Sequence, residues 1–423
     1  TNMFRNIATP AYMAREDRQR HFYIVGQTGT GKTTLLLNMV RQDIQAGEGI
    51  CFIDPHGETA EKILRYVPPS RMRDVIYFNP ADTDYPFGLN FLEYDQRFPE
   101  QKTFVVNELF SIFQKLYGAI PESMGPAFEQ YFRNATMLVI DDPSSGNTLL
   151  DVQRVLADKE FRDYKLSRTS NVVVQTFWRQ IAEKAGGEAS LQNMVPYVTN
   201  KFDTFLANEI MRPIIAQQTS SFNFRQVMDE GKILIINLSK GRLGELNSAL
   251  LGLIIVGKLL MAALSRVEIA EEEKRRDFYL YIDEFQNVTT PSIATILSEA
   301  RKYRLNLIIA HQFIAQLDEK IKNAVFGNVG TIATFRVGTE DAEFLAKQFE
   351  PVFGASDLIN IDNRNAYLKM LIAGQTARPF SVKIDPPHAG DPVAPAAIKE
   401  FSRMTYGRPR AQIEADILRR YTK

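Results

Sequence analysis

The sequence of 423 residues is poor in cysteine and histidine and has no excess charge of either sign. Its one cysteine, Cys51, excludes an internal disulfide and is typical of a reducing compartment. The apolar run GICFID around Cys51 predicts a buried, structural thiol. The four histidines do not cluster and show no zinc spacing. These absences exclude a disulfide-rich scaffold and a zinc-stabilised module.

The charge balance limits how this protein can meet a nucleic acid. Lys+Arg 50 against Asp+Glu 50 leaves a formal net charge of +0. A protein that covers DNA with a broad face usually has a basic excess. Any contact with DNA therefore has to be local, for instance through loops that line a ring. The length suggests two or three structural units, and 45% hydrophobic residues are typical of a soluble globular protein.

Long hydrophobic runs are also scarce. The longest, residues 250–264, is interrupted by Lys258 and two glycines and is short for a membrane span, so it predicts a buried helix. The start, TNMFRNIATP, shows no signal peptide, and because it lacks Met we expect an N-terminal piece to be missing. We expect a cytoplasmic protein without a membrane span in this chain, attached to an inner membrane face only through that missing region or through partners.

One glycine-rich segment carries a strong chemical pattern. In FYIVGQTGTGKTT a β-rich run leads into a turn and then into good helix formers, and Gly26, Gly31, Lys32 and Thr33 match G-x-x-x-x-G-K-[ST]. Backbone N–H groups of such a turn wrap phosphates, the lysine neutralises the β and γ phosphates, and the threonine hydroxyl binds Mg²⁺. We therefore predict ATP and Mg²⁺ as cofactors. The predicted nucleotide-binding residues are Gly26, Thr28, Gly29, Thr30, Gly31, Lys32, Thr33 and Thr34.

The remaining pattern predicts an α/β fold with a mostly parallel central sheet and an all-α inserted domain. Apolar runs such as GICFIDP and DVIYFNP alternate with helical segments on both sides of a long stretch of purely helical periodicity. We predict the first half of the α/β domain in residues 1–98, the helical insertion in 99–218 and the second half in 219–385. Residues 386–423 are predicted to form a tail with a basic helix.

Polar side chains follow two predicted strands of the second half. Asp283 and Glu284 end the strand in LYIDEF, and Gln312 ends LIIAHQ. The carboxyl ends of parallel strands are where such sheets bind ligands. There Asp283 would hold Mg²⁺ through water and Glu284 would orient or deprotonate the attacking water. Gln312 would contact the γ-phosphate. The alternatives are a solvated turn for the acidic pair and a simple cap for the amide.

Two further motifs have open interpretations. Arg301, in SEARKYRLN, lies between those strands and is either a surface arginine or an arginine finger offered to a neighbour's phosphates. The run IDPHGE places Asp54, His56 and Glu58 after the strand that follows the P-loop helix. We interpret it as a carboxylate-bearing turn near the nucleotide, with a metal site at His56 as the alternative.

Taken in order, several motifs resemble the HerA/FtsK superfamily of DNA-pumping P-loop ATPases. These are IVGQTGTGKTTLL, FIDPHGE, YIDEFQN, SEARKYRLNLIIAHQ and TFRVGTEDAEFLAKQF. Within the superfamily they most resemble TraG/TraD-type coupling proteins of conjugation and type IV secretion, which also share the helical insertion. The similarity covers about residues 20–384. It implies a RecA-like ATPase fold.

The resemblance also implies a hexameric ring with ATP between subunits and DNA in the central channel. It assigns Lys32 and Thr33 to phosphate and Mg²⁺, Asp283 and Glu284 to metal and water, and Gln312 to γ-phosphate sensing. Arg301 fits the trans-acting arginine of the family, with Arg336 as second choice. We expect DNA binding with little sequence preference and a secretion-machinery or recruiting protein as a further partner.

Other functions stay open at this point. A secretion ATPase of the same superfamily that drives protein export or pilus assembly is the first alternative, because loops that contact DNA carry no fixed motif. A nucleotide-regulated scaffold without turnover is the second, and Glu284 argues against it. A small-molecule kinase is disfavoured by the large helical insertion. The leading hypothesis is an ATP-hydrolysing, ring-forming motor that translocates DNA.

Overall fold

The computed structural model describes residues 2–4, 7–118, 124–185 and 190–421. The chain divides into two compact units, each assembled from separate stretches of sequence. The first consists of Thr1–Phe78, Phe224–Lys240 and Leu259–Ser402, and the second of Asn79–Asn223, Gly241–Lys258 and Arg403–Lys423. The predicted insertion at residues 99–218 lies within the second unit, and the domain boundaries drawn from the sequence stay a prediction.

The strands found in the described residues belong to the first unit. They are β1 Asn2–Phe4, β2 Ile7–Thr9, β3 Phe22–Val25, β4 Gly49–Asp54, β5 Val75–Phe78, β6 Ile233–Asn237, β7 Phe278–Ile282, β8 Leu305–His311, β9 Thr331–Thr334, β10 Asn365–Lys369, β11 Leu371–Ile372, β12 Gln375–Thr376 and β13 Phe380–Lys383. Nine of them, counted over the described residues, form one sheet in the order β13-β10-β9-β3-β8-β7-β4-β6-β5. From β5 to β9 all neighbours are parallel, and β10 and β13 add an antiparallel edge. The predicted α/β class with a mostly parallel sheet is confirmed.

Sequence explains why the sheet is central. Strands β3, β4, β7 and β8 are continuous apolar runs whose residues are all buried. Parallel strands of this kind need helices on both faces. The helices of the first unit are α1 Arg15–Arg18, α2 Lys32–Gln45, α3 Glu58–Leu64, α11 Phe224–Glu230, α14 Pro291–Glu299, α15 Glu319–Asn328, α16 Thr339–Phe349 and α17 Ala355–Ile359. Helix α2 begins directly after the glycine-rich turn, as the P-loop pattern predicts.

The second unit is helical, and its aromatic stripes form its core. Its helices are α4 Gln101–Tyr117, α5 Pro126–Asp141, α6 Leu149–Ala157, α7 Lys159–Arg168, α8 Val172–Thr176, α9 Leu191–Leu206, α10 Arg212–Ile215, α12 Lys240–Leu243 and α19 Arg410–Tyr421. The rings of Phe113 and Phe202 lie 4.8 Å apart, and Phe132 stacks on Phe202 at 5.6 Å. These aromatic side chains therefore serve packing.

Helices α13 Glu245–Ser265 and α18 Ala394–Tyr406 contribute residues to both units, as does α12 through its first residue, Lys240. In the part of the chain that the structure describes, Glu245–Glu268 is the one helical stretch long and apolar enough to cross a membrane, with a mean hydropathy of 2.1 in its most apolar window. That window is 89% buried inside the protein. The stretch is therefore the buried helix that its sequence predicts.

The N-terminal segment differs from expectation. Residues 1–22 look irregular in sequence, yet β1 pairs with β2 and α1 precedes β3. Strands of three residues are too short to show a period-2 pattern, so sequence periodicity could not reveal them.

Candidate functional site

The glycine-rich turn lies at the carboxyl edge of the sheet. It connects β3, which is paired with β8 and β9, to the first residue of α2, Lys32. Gly29 and Gly31 have φ values of 78° and 123°, which side chains rarely adopt. A Cβ on Gly26 would lie 2.5 Å from the Cβ of Phe335, so that glycine is required for packing. The first N–H groups of α2 have no acceptor within the helix, and this end of the helix attracts anions.

The P-loop lysine and threonine lie where the pattern predicts. Lys32 Nζ donates to the carbonyl oxygens of Gly26 at 2.5 Å and Gln27 at 3.1 Å. Burial lowers the pKa of Lys32, and the charges of Asp283 and Glu284 act in the opposite direction. Thr33 Oγ1 donates to Asp283 Oδ2 at 3.3 Å. The structure therefore brings the two predicted Mg²⁺ ligands, Thr33 and Asp283, together.

Asp283 is a strongly perturbed carboxyl group. Burial, followed by the nearby charges of Glu284 and Asp54, raises its pKa from 3.8 to about 6. A buried carboxylate among other carboxylates is stabilised by a cation. Oxygen ligands from a hydroxyl and a carboxylate are what Mg²⁺ prefers. The residues present therefore fit the predicted metal.

Glu284 and Gln312 form one hydrogen-bonded chain with the P-loop. Gln312 Nε2 donates to Glu284 Oε1 at 2.8 Å, and Gln312 Oε1 accepts from Thr28 Oγ1 at 2.9 Å. Gln286 Nε2 donates to the other carboxylate oxygen of Glu284 at 2.6 Å. Glu284 itself has a φ of 51°, a left-handed backbone that costs free energy in a residue with a side chain. Sequence reasoning missed Gln286, although an amide two residues after the acidic pair was the available clue.

A second layer supports Gln312 from inside the sheet. The preceding residue, His311, has its Nε2 2.6 Å from the hydroxyl of Tyr23 on β3. Burial lowers the pKa of His311 to about 4, so the imidazole is neutral at physiological pH. The neighbouring strands of the P-loop and of Gln312 are thus joined by side chains as well as by backbone.

Arg336 lies beside the P-loop of its own chain. Gln27 donates its backbone N–H to the carbonyl oxygen of Arg336 at 2.8 Å. Arg336 Nε lies 3.4 Å from Gln27 Oε1, and its Nη2 donates to Asn363 Oδ1 at 3.1 Å. The N–H of Arg364 donates to the carbonyl oxygen of Thr30 at 2.7 Å. Residues that follow β9 and precede β10 therefore hold the outer side of the P-loop, which the sequence did not indicate.

Arg301 is not part of this cluster. It is exposed in a single turn, Ala300–Tyr303, that precedes β8. Gln312 follows the same strand, whose seven residues span about 20 Å. An arginine side chain is much shorter than that, so Arg301 does not reach the P-loop of its own chain.

The IDPHGE turn has a structural role. Asp54, at the end of β4, accepts the N–H groups of His56 at 2.9 Å and Ala60 at 2.8 Å and so caps α3. Within the described ranges, no group of three or more His, Cys, Asp or Glu side chains could hold a metal ion. Asp54 still contributes its charge to the environment of Asp283, so a carboxylate-bearing turn near the site describes it.

With this geometry established, the comparisons with known proteins place the chain in a family. The family model for type IV secretory system conjugative DNA transfer proteins matches residues 4–347. The chain belongs to this family, and the resemblance to TraG/TraD-type coupling proteins is confirmed. No curated protein matches the sequence significantly.

Solved structures agree on the fold. The plasmid coupling protein TrwB, in complex with ADP and Mg²⁺, superposes with a TM-score of 0.63 at 17% identity and covers 90% of this chain and 89% of its own. TrwB in complex with the ATP analogue ADPNP superposes with a TM-score of 0.62 at 16% identity and covers 89% of this chain and 88% of its own. VirB4 of Thermoanaerobacter pseudethanolicus superposes with a TM-score of 0.53 at 14% identity and covers 86% of this chain and 89% of its own.

Proposed function

We propose that this protein is a Mg²⁺-dependent ATPase that assembles into a hexameric ring and translocates DNA. The observation that carries the proposal is the convergence of Lys32, Thr33, Asp283, Glu284 and Gln312 at one edge of the sheet. Membership in the conjugative DNA transfer family supports DNA as the cargo. A protein with a neutral net charge has no broad basic face for DNA, so we propose that a few local contacts bind it. Such contacts to the DNA backbone would have little sequence preference.

Each side chain has a defined task in this proposal. Lys32 and the N–H groups of the P-loop, including those at Thr28 and Thr34, bind the phosphates. Thr33 and Asp283 would hold Mg²⁺, which neutralises charge on the phosphates when bound. Glu284, held by two side-chain amides, accepts a proton from the attacking water. Gln312 contacts the γ-phosphate while it is hydrogen-bonded to Glu284.

The arginine needed for the transition state comes from a neighbouring subunit. Arg301 is exposed at the amino edge of the sheet, and a strand that spans about 20 Å separates it from its own site, so it acts only in trans. Arg336 is hydrogen-bonded next to its own P-loop, so it would act in cis. We therefore assign the arginine finger to Arg301, and to Arg336 the positioning of the P-loop.

ATP hydrolysis measured with and without single- and double-stranded DNA tests the proposal. We expect DNA to stimulate hydrolysis by wild-type protein and to have no effect on Glu284→Gln. Hydrolysis indifferent to any DNA but stimulated by a secreted protein substrate would instead favour the protein-export ATPase. Tight ATP binding without hydrolysis under any condition would favour the nucleotide-regulated scaffold.

A further inference from the structure

The amino edge of the sheet contains an open cleft whose apolar walls have no assigned role. It measures about 670 Å³, and Arg301 lies in its wall. The other walls are largely apolar, from Tyr12 and Met13 of the N-terminal segment and from Leu371 and Ile372 of β11. Tyr12 is 83% exposed and Ile372 is 58% exposed. Exposed apolar groups concentrated around one cleft indicate a contact surface.

The β11–β12 hairpin holds Ile372 in place. Its two-residue turn, Ala373 and Gly374, has φ values of 51° and 77°. Both turn N–H groups donate to the carboxylate of Asp17, each at 2.9 Å. Asp17 is only 3% exposed. The apolar tip is therefore preorganised, and little conformational entropy is lost when a partner binds it.

The carboxyl edge of the same sheet presents an exposed aromatic ring. Phe313 directly follows Gln312 and is 43% exposed. The next residue is fixed, since Ile314 donates its N–H to the carboxylate of Asp341 at 3.2 Å. The ring therefore stands on an anchored loop, directly after the residue that donates to Glu284, whose negative charge complements an incoming arginine.

We infer that the two edges meet between two copies of this chain, with Phe313 of one subunit inserted into the cleft around Arg301 of the next. The inference rests on the proposed trans-acting role of Arg301. To stabilise the γ-phosphate, Arg301 has to come next to the partner's Gln312. That placement brings the residue after Gln312 to the residues that surround Arg301. The contact would set the position of the arginine through apolar packing.

Cysteine cross-linking tests the contact directly. The native Cys51 is fully buried, and burial raises the pKa of its thiol, so it gives little background reaction. A chain that carries both Phe313→Cys and Ile372→Cys should form a ladder of covalent oligomers with a short bismaleimide in the presence of ATP. The matched control pairs Phe313→Cys with Val393→Cys, at another residue that is 76% exposed. We expect at least tenfold less ladder from the control.

Two readouts separate this inference from the proposed function. Ile372→Asp should lower assembly and DNA-stimulated hydrolysis at least tenfold while nucleotide affinity of the single subunit stays unchanged. Equal ladders from the test and control pairs, or normal assembly of Ile372→Asp, would overturn the inference while a hydrolysing wild type still supports the motor. If the test pair forms the specific ladder but the wild-type protein does not hydrolyse ATP, the contact between subunits is supported and the proposed motor function is refuted.

Discussion

Gln312 and Glu284 are joined by a 2.8 Å hydrogen bond from the side-chain amide to the carboxylate. The same amide group accepts from Thr28 of the P-loop. One neutral side chain thus connects the phosphate-binding loop to the residue proposed to activate water. A change in phosphate contacts at Gln312 would therefore alter the orientation of Glu284 directly.

Replacing Glu284 with Gln should abolish turnover and spare ATP binding. The amide keeps the shape but cannot accept a proton from water, so kcat should fall about 10²–10⁴-fold. Steady-state hydrolysis and titration with a fluorescent nucleotide measure the two effects. Wild-type kcat in this variant would refute the assignment of Glu284.

Replacing Lys32 with Ala should remove nucleotide binding. Without this ammonium group the loop would face the triphosphate without its main cation. Lys320→Ala, which removes an exposed lysine elsewhere in the same unit, is the control and should bind normally. Calorimetric titration with Mg-ATP compares the two, and equal affinities would contradict the prediction.

Hydrolysis should fall as the pH drops through about 6. Asp283 has to be ionised to hold Mg²⁺, and its pKa of about 6 means that protonation competes there. Bound Mg²⁺ lowers that pKa, so raising the Mg²⁺ concentration should shift the acid limb of the rate profile to lower pH. A profile flat between pH 5 and 8, a range of about three units around this pKa, would argue against the role.

The same carboxyl group should affect stability with the opposite sign. Because its pKa is higher in the folded protein than the ordinary 3.8, folding favours the protonated form, and this stabilisation is lost as the pH rises through about 6. Without Mg²⁺ at pH 8, Asp283→Asn should therefore raise the free energy of unfolding, on the order of 1–3 kcal/mol. Denaturant titration measures it, and a destabilised variant would contradict the reasoning.

Mixed rings should distinguish the two arginines. Arg301→Ala mixed with Lys32→Ala should recover activity, because roughly a quarter of the interfaces in a random ring pair an intact P-loop with an intact Arg301. Arg336→Ala mixed with Lys32→Ala should recover none, because Arg336 supports the P-loop of its own chain. Rescue in the second mixture would make Arg336 the trans-acting residue.

Much of the site could be predicted because its chemistry is carried by short motifs. The P-loop pattern specifies Lys32 and Thr33 by spacing alone, and strand ends specify Asp283, Glu284 and Gln312. Parallel strands then bring these ends to one edge, whatever their separation in sequence. Local pattern and topology were sufficient for this part.

The supporting contacts could not be predicted in the same way. Arg336 meets Gln27 only because β9 lies next to β3, and Asp17 meets a hairpin more than 350 residues further along the chain. Such pairs follow from the three-dimensional register of elements, for which a single sequence has no periodic pattern. The two units likewise combine distant stretches of the chain, which a linear division into segments does not express.

Strand β8 has one more consequence. It is buried along its whole length and paired on both sides, the turn that contains Arg301 precedes it, and Gln312 directly follows its last residue. A strand fixed in this way keeps a constant length, so its two ends move together. If each Arg301 serves the next subunit, loss of the γ-phosphate at Gln312 would move the strand and so withdraw or advance Arg301 at its other end. The order in which neighbouring sites hydrolyse ATP would then depend on this one seven-residue strand.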